Sequence, residues 1–133
     1  MHVGFSEISK LHNLKSLKLW HIDTITNSRI DFVRMFNDKN LENLTHLDIS
    51  RIRALNSPML RIIALNCPKL ECLLLNNCNL NDEKLSIVIE NCNRIKMLQL
   101  EDEDELTDGA FQNIHEHLPL LRHLWLSKNK IYF

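Results

Sequence analysis

The sequence has little glycine, little proline and almost no net charge. Its 133 residues include 2 Gly and 3 Pro, and 16 basic residues against 17 acidic ones leave a formal charge of −1. The scarcity of Gly and Pro argues against a disordered linker, so we expect a single domain spanning residues 1–133. The balanced charge creates no field that favours a polyanion, so we expect neither nucleic acid nor an anionic membrane surface as a partner.

Long apolar runs are also missing. No run approaches the length of a membrane-spanning helix, and the start MHVGFSEISK has no apolar stretch of the kind that a secretory leader contains. We therefore expect a cytoplasmic or nuclear protein.

What the sequence does contain is a repeat. Leu or Ile fills three positions in five successive units, which follow each other at steps of 30, 26, 25 and 26 residues. The second and third positions are two residues apart, which is the alternation of a strand. The three sets are Leu14, Leu44, Leu70, Ile95 and Leu121; Leu17, Leu47, Leu73, Leu98 and Leu124; and Leu19, Ile49, Leu75, Leu100 and Leu126.

Each strand is predicted to be followed by a helix. In the third unit, Leu85, Val88, Ile89 and Cys92 recur at the spacing of one helix face. Polar residues suited to a helix N-terminus recur at equivalent places, namely Asn56 or Ser57, Asn81 and Thr107. The first unit is predicted to have a helix over 28–37 and a loop over 38–40. We expect the chain to begin and end inside a repeat, with apolar groups at Phe5, at Ile8 and at 131–133 left uncapped.

The third unit resembles a leucine-rich repeat of the cysteine-containing subclass, which is found in F-box leucine-rich proteins and in the antagonist of mitotic exit network protein. The residues that match are Cys67, Leu70, Leu73, Leu75, Cys78, Leu80, Asn81, Asp82, Leu85 and Cys92. The resemblance implies an α/β solenoid of about five strands, with a curved parallel sheet on the concave side and helices on the convex side. It also implies a role like that of the substrate-recognition part of a ubiquitin ligase subunit, although no F-box helix cluster occurs among the 133 residues.

Two departures from that subclass are visible. The cysteine or asparagine position after the strand holds Cys78 in the third unit and Asn129 in the last, but Ile22, Ile52 and Glu103 in the others. The segment between Cys78 and the motif residues Leu80, Asn81 and Asp82 is also one residue shorter than is usual in that subclass. The units are therefore degenerate copies.

The four cysteines have the spacing C-x4-C-x5-C-x13-C, which lacks the short knuckle of structural zinc sites. Cys67 and Cys92 occupy the repeat position that Leu41 and Leu118 fill elsewhere. We therefore favour buried packing over a disulfide or a metal site.

A catalytic or metal site has little support among the histidines. His115 and His117 would point ~200° apart on a helix and cannot chelate one ion. His46 and Cys72 are predicted to be neighbours on adjacent strands, as in a nucleophilic site, but no third residue orients them. His123 would lie roughly 14 Å from His46, three strands away. The expectation is a non-enzyme without cofactor or metal.

The repeat predicts a surface instead. Residues that alternate with the strand leucines should point outward in rows across the concave sheet. Exposed apolar groups there, such as Trp125 and Leu74, are typical of protein-binding hot spots. We expect a partner protein to contact Lys18, Trp20, His46, Asp48, Cys72, Leu74, Asn76, Met97, Gln99, Glu101, His123 and Trp125.

Three alternatives remain open at this point. Terminal segments could cover the two tryptophans, and uncapped repeat ends could join copies into a homo-oligomer or dock onto another structure. The acidic run from Glu101 to Glu105 is interpreted as a solvated turn, with recognition of a basic partner segment as its alternative.

Overall fold

A single parallel sheet of five short strands forms one side of the molecule. A computed structural model describes residues 7–19 and 32–127 of the chain. The strands follow the order of the sequence, so each unit lies beside the next. They are β1 (Ser16–Lys18), β2 (His46–Asp48), β3 (Cys72–Leu74), β4 (Met97–Gln99) and β5 (His123–Trp125).

The register of the strands confirms the register predicted from the repeat. The middle residue of each strand is the second repeat leucine, and these pair as Leu17, Leu47, Leu73, Leu98 and Leu124. On the three central strands these leucines are buried, as are Ile49, Leu75 and Leu100 two residues on. Leu124 on the last strand is 38% exposed. The predicted α/β solenoid is thus the observed architecture.

Helices α1 (Ser57–Asn66) and α2 (Asp82–Asn91) connect the central strands and pack against each other. Asn56 and Asn81 cap them, since each side chain accepts a 2.9 Å hydrogen bond from the backbone N–H three residues on. Both capping predictions are therefore confirmed, with Asn56 rather than Ser57 as the cap.

The fourth unit differs from the prediction of a full helix. Residues Asp108–Phe111 form a 3-10 helix, and α3 (Ile114–His117) has only four residues. Asn113 between them has a left-handed backbone with φ 59°, which a continuous helix does not allow. Thr107 makes no side-chain capping bond in its own unit. Its N–H and hydroxyl instead donate to the Asp82 carboxylate of the preceding unit.

The first unit is described only in part. Residues 32–36 are helical, and the predicted start of that helix at 28–31 lies outside the described residues. The predicted loop that follows is a 3-10 helix, Asn37–Lys39. Across the described ranges, no helix is long and apolar enough to cross a membrane.

Cysteines and leucines are interchangeable at the end of each unit's helical segment, as predicted. Cys67 and Cys92 are 1% and 7% exposed, and Leu41 and Leu118 at the equivalent positions are also buried. Cys67, Cys92 and Leu118 end their helices with nearly the same backbone angles. All four cysteines are free, so the disulfide alternative is wrong.

A tight turn follows each of three strands. Arg51, Asn77 and Asp102 occupy equivalent positions and have left-handed φ values of 64°, 52° and 59°. The N–H of each donates to a carbonyl in the next unit, at 2.7, 2.9 and 3.1 Å. These bonds hold neighbouring turns together along one rim of the sheet.

Candidate partner-binding face

The outward face of the sheet carries the residues that the repeat predicted there. The first row across it is Ser16, His46, Cys72, Met97 and His123, and the second is Lys18, Asp48, Leu74, Gln99 and Trp125. We call the surface formed by these two rows the concave face. Side chains at its two ends are exposed, and those on β3 and β4 are half-buried by their neighbours.

The second row combines one ion pair with apolar groups. Lys18 Nζ lies 3.6 Å from Asp48 Oδ2 on the adjacent strand. Leu74 follows on β3, and Trp125 on β5 is 51% exposed. Trp20, which we expected to extend this face at the other end, lies outside the described residues. The described part of the row thus runs from charged to apolar.

The first row places two sulfur atoms in contact at the centre of the face. Cys72 Sγ lies 3.5 Å from Met97 Sδ. His46, on the other side of Cys72, has its ring Nδ1 2.8 Å from the hydroxyl of Thr45. Partial burial and the nearby Asp48 carboxylate raise the pKa of the Cys72 thiol.

A third row, at the rim, turns out to be structural. Ser50 continues the outward alternation of β2, as Asn76 and Glu101 do for their strands, but it is 3% exposed. Its hydroxyl accepts a hydrogen bond from the Asn76 N–H at 3.2 Å, and the Asn76 carboxamide oxygen accepts one from the Glu101 N–H at 2.9 Å. Ser50 is thus buried because it satisfies a neighbouring turn.

The acidic run contains one carboxylate that is not in solvent. Asp102, Asp104 and Glu105 are exposed, as a solvated turn requires, but Glu103 is fully buried. Its two oxygens accept hydrogen bonds from the N–H groups of Cys78 and Leu80, at 2.7 and 2.8 Å. Burial raises the pKa of Glu103 to about 7, although both N–H donors favour its charged form.

Sequence reasoning missed this role of Glu103. The signal was present, because Glu103 stands at the repeat position of Cys78, 25 residues earlier. That position faces the preceding unit's turn, so a carboxylate there has backbone donors to accept from.

The predicted Cys72 and His46 pair lacks the properties of a nucleophilic site. The two residues do pair on adjacent strands. A reactive thiol needs a lowered pKa, whereas that of Cys72 is raised. Within the described residues, no three His, Cys, Asp or Glu side chains are grouped to hold a metal ion. His115 and His117 are both exposed on α3.

Comparisons with known proteins identify the fold. No protein-family model matches the sequence, and no curated protein matches it. Solved structures do match. One is the crystal structure of a TLR13–ssRNA13 complex, at 28% identity and a TM-score of 0.72, covering 95% of this chain. This chain spans only 17% of that one.

A second match is the structure of Chaetomium Mex67:Mtr2 subunits. It is 18% identical, has a TM-score of 0.60, and covers 92% of this chain and 87% of that one. TLR13 and Mex67 are leucine-rich repeat proteins. Because the first structure is a complex with RNA, our expectation that nucleic acid is not a ligand has no support here. The strand order, the strand register and the similarity to these two solved structures show that the chain has the leucine-rich repeat fold.

Proposed function

We propose that the chain is a non-enzymatic protein-interaction module that binds a partner protein on its concave face. The observation that carries this proposal is the outward row in which Trp125, Gln99 and Leu74 are paired on three adjacent strands. It presents a half-exposed indole on β5 and a half-buried leucine on β3, with Gln99 between them, on one hydrogen-bonded sheet. Because such a sheet is rigid, its backbone loses little conformational freedom on binding.

The binding energy would come mainly from the apolar part of this face. A large aromatic group that becomes buried at the centre of an interface contributes more than rim charges, which water and salt screen. Trp125 is the largest such group in the described part of the face. The Lys18 and Asp48 pair would set the orientation of the partner more than its affinity.

A more specific version of the proposal concerns the kind of partner. The third unit resembles the repeats of F-box leucine-rich proteins, in which the repeat region recognises a substrate for ubiquitin ligation. On this proposal the chain recognises the substrate protein, and other proteins carry out the ubiquitin ligation. The raised pKa of the Cys72 thiol supports a recognition role, since the only Cys and His pair on the concave face among the described residues is not activated.

Affinity capture with matched variants tests the concave face. Leu74→Ala with Trp125→Ala removes its apolar groups, and Leu65→Ala is the control because Leu65 is 73% exposed on α1, on the other side of the molecule. We expect the double variant to lose partners that the wild type and Leu65→Ala retain. If the wild type, the double variant and Leu65→Ala captured the same partners, the proposal would be wrong. Ribonuclease treatment during capture separates direct protein partners from those held through RNA.

Assembly through the repeat ends is a second candidate function. The observation that favours it is the exposure of Leu124 at 38%, since the equivalent leucines on β2, β3 and β4 are at 1%, 1% and 0%. A second copy or another protein stacked on β5 would bury Leu124. The apolar groups proposed at Phe5 and 131–133 lie outside the described residues, and Ile8, the described residue of that set, is half-buried against the core. Sedimentation over a wide concentration range tests it, and a monomer at the highest concentration would argue against it.

A further inference from the structure

The centre of the concave face carries a pair of sulfur ligands that the partner-binding role does not require. Cys72 Sγ and Met97 Sδ are 3.5 Å apart, on adjacent strands in register, and both side chains are half-buried. A thiolate and a thioether are the soft ligands that select Cu(I) over the harder divalent ions. Zinc is a poor fit, because its sites use His, Cys and carboxylate ligands and no three of these group together in the described residues.

The distance between the sulfur atoms suits one shared metal ion. With metal–sulfur bonds of ~2.3 Å, the length found for zinc thiolates, two sulfurs 3.5 Å apart subtend an angle of about 100° at the metal. A trigonal centre needs about 120°, which a shift of about half an ångström in either flexible side chain provides. The strands therefore hold both sulfurs near the required geometry in the absence of metal.

The residue that pairs with Cys72 on the next strand is a histidine. His46 pairs with Cys72 across β2 and β3, and its Nδ1 is 2.8 Å from Thr45 Oγ1. Thr45 Oγ1 also lies 3.1 Å from the Lys15 carbonyl oxygen, to which it can donate while it accepts from His46 Nδ1–H. In that arrangement Nε2 carries the lone pair, which is how a metal-binding histidine is usually held by an outer hydrogen bond.

We propose that His46, Cys72 and Met97 form a three-coordinate site for a single Cu(I) ion. Binding is a ligand exchange without change of oxidation state. Cu(I) forms a bond to Cys72 sulfur, the thiol proton is released to solvent, and His46 Nε2 and Met97 Sδ complete the coordination. One proton leaves for each ion bound. This proposal does not depend on a protein partner.

The test is a titration of the reduced full chain with Cu(I), in the absence of oxygen and in competition with a coloured Cu(I) chelator. We expect the wild type to bind one ion per chain at high affinity and Cys72→Ser to bind none in this way. Met97→Leu and His46→Gln should each weaken binding at least about tenfold. Loss of a group hydrogen-bonded to a ligand already costs this much, and loss of the ligand itself should cost no less. His123→Gln is the matched control, because His123 lies beside Met97 on the opposite side. X-ray absorption of the loaded protein should find two sulfurs and one nitrogen.

Each other result overturns a defined part of the proposal. Unchanged affinity in Met97→Leu would mean that the ion is held by a bare thiol, so the site would be adventitious. A loss in His123→Gln equal to that in His46→Gln would remove the assigned nitrogen ligand. Binding retained by Cys72→Ser would place the ion elsewhere. Circular dichroism of each variant establishes that the fold is intact, as expected for substitutions on the outward face.

Discussion

Glu103 accepts a 2.7 Å hydrogen bond from the backbone N–H of Cys78, 25 residues earlier in the chain. Its second oxygen accepts from the Leu80 N–H at 2.8 Å. One carboxylate thereby satisfies two backbone donors of the preceding unit's turn, in a place closed to water. Glu103 therefore stabilises the fold, whereas its exposed acidic neighbours are in solvent.

Replacing Glu103 with Ala should destabilise the fold strongly. The change leaves two buried N–H groups without these acceptors, and each costs roughly 1–3 kcal/mol, so we expect a loss of about 2–6 kcal/mol. Urea unfolding measures it. Asp104→Ala is the control, because Asp104 is exposed and belongs to the same run. Equal stabilities for the two variants would show that solvent replaces the lost carboxylate.

The raised pKa of Glu103 predicts a dependence of stability on pH. In the folded protein the Glu103 carboxyl group keeps its proton up to a pH of about 7, because its pKa is about 7. In the unfolded chain it loses this proton near pH 4.5. The extra stability is therefore fully present below pH 4.5 and is lost as pH rises through 7, by about 3 kcal/mol. Glu103→Gln removes this titration. The stability of Glu103→Gln relative to wild type should rise between pH 4.5 and 7, and a constant difference over that range would contradict the assignment.

The four thiols should differ in reactivity. Burial raises the pKa values of Cys67, Cys78 and Cys92 to about 12, while Cys72 is half-exposed. A disulfide reagent at pH 8 should therefore label one thiol in the native protein and all four in denaturant. Cys72→Ser should label none without unfolding. Labelling of Cys72 much faster than a free thiol would revive the nucleophilic hypothesis.

Asn81→Ala should remove the cap of α2. The Asn81 side chain accepts from the Lys84 N–H at 2.9 Å, and loss of such a cap costs about 1 kcal/mol. Thermal or urea unfolding should detect this loss. Asn93→Ala is the comparison, because Asn93 is an exposed asparagine just beyond the same helix. We expect it to change stability by less than about 0.5 kcal/mol.

The repeat period was sufficient to predict the sheet. Parallel strands in one register require equivalent residues to be neighbours, so subtraction of residue numbers placed Leu73 between Leu47 and Leu98 before any contact was known. The same subtraction placed Cys72 and Met97 on the outward face. The helix caps followed from local chemistry, since Asn56 and Asn81 act on their own first turns.

What the sequence did not reveal depends on bonds between units. Glu103 belongs to a run predicted to be solvated, and Ser50 continues the outward alternation of its strand, but each accepts a hydrogen bond from a backbone N–H in an adjacent unit. The donors to Glu103 are the N–H groups of Cys78 and Leu80, which directly follow the left-handed residues Asn77 and Asn79 in a turn outside both helix and sheet. Periodicity identifies equivalent positions without stating which neighbour needs an acceptor. The shortened α3 likewise depends on the backbone of one residue, Asn113.

The bond between Glu103 and Cys78 also restricts how this solenoid could change its length. A duplicated third unit would place a cysteine opposite the Cys78 and Leu80 donors, where the fourth unit now supplies Glu103. The rim would still match, because Asn76 accepts from whichever backbone follows it. The two buried donors would then face a thiol, which is a weaker acceptor than the carboxylate. Gain of a repeat at the junction of the third and fourth units should therefore cost stability that the match at the rim does not reveal.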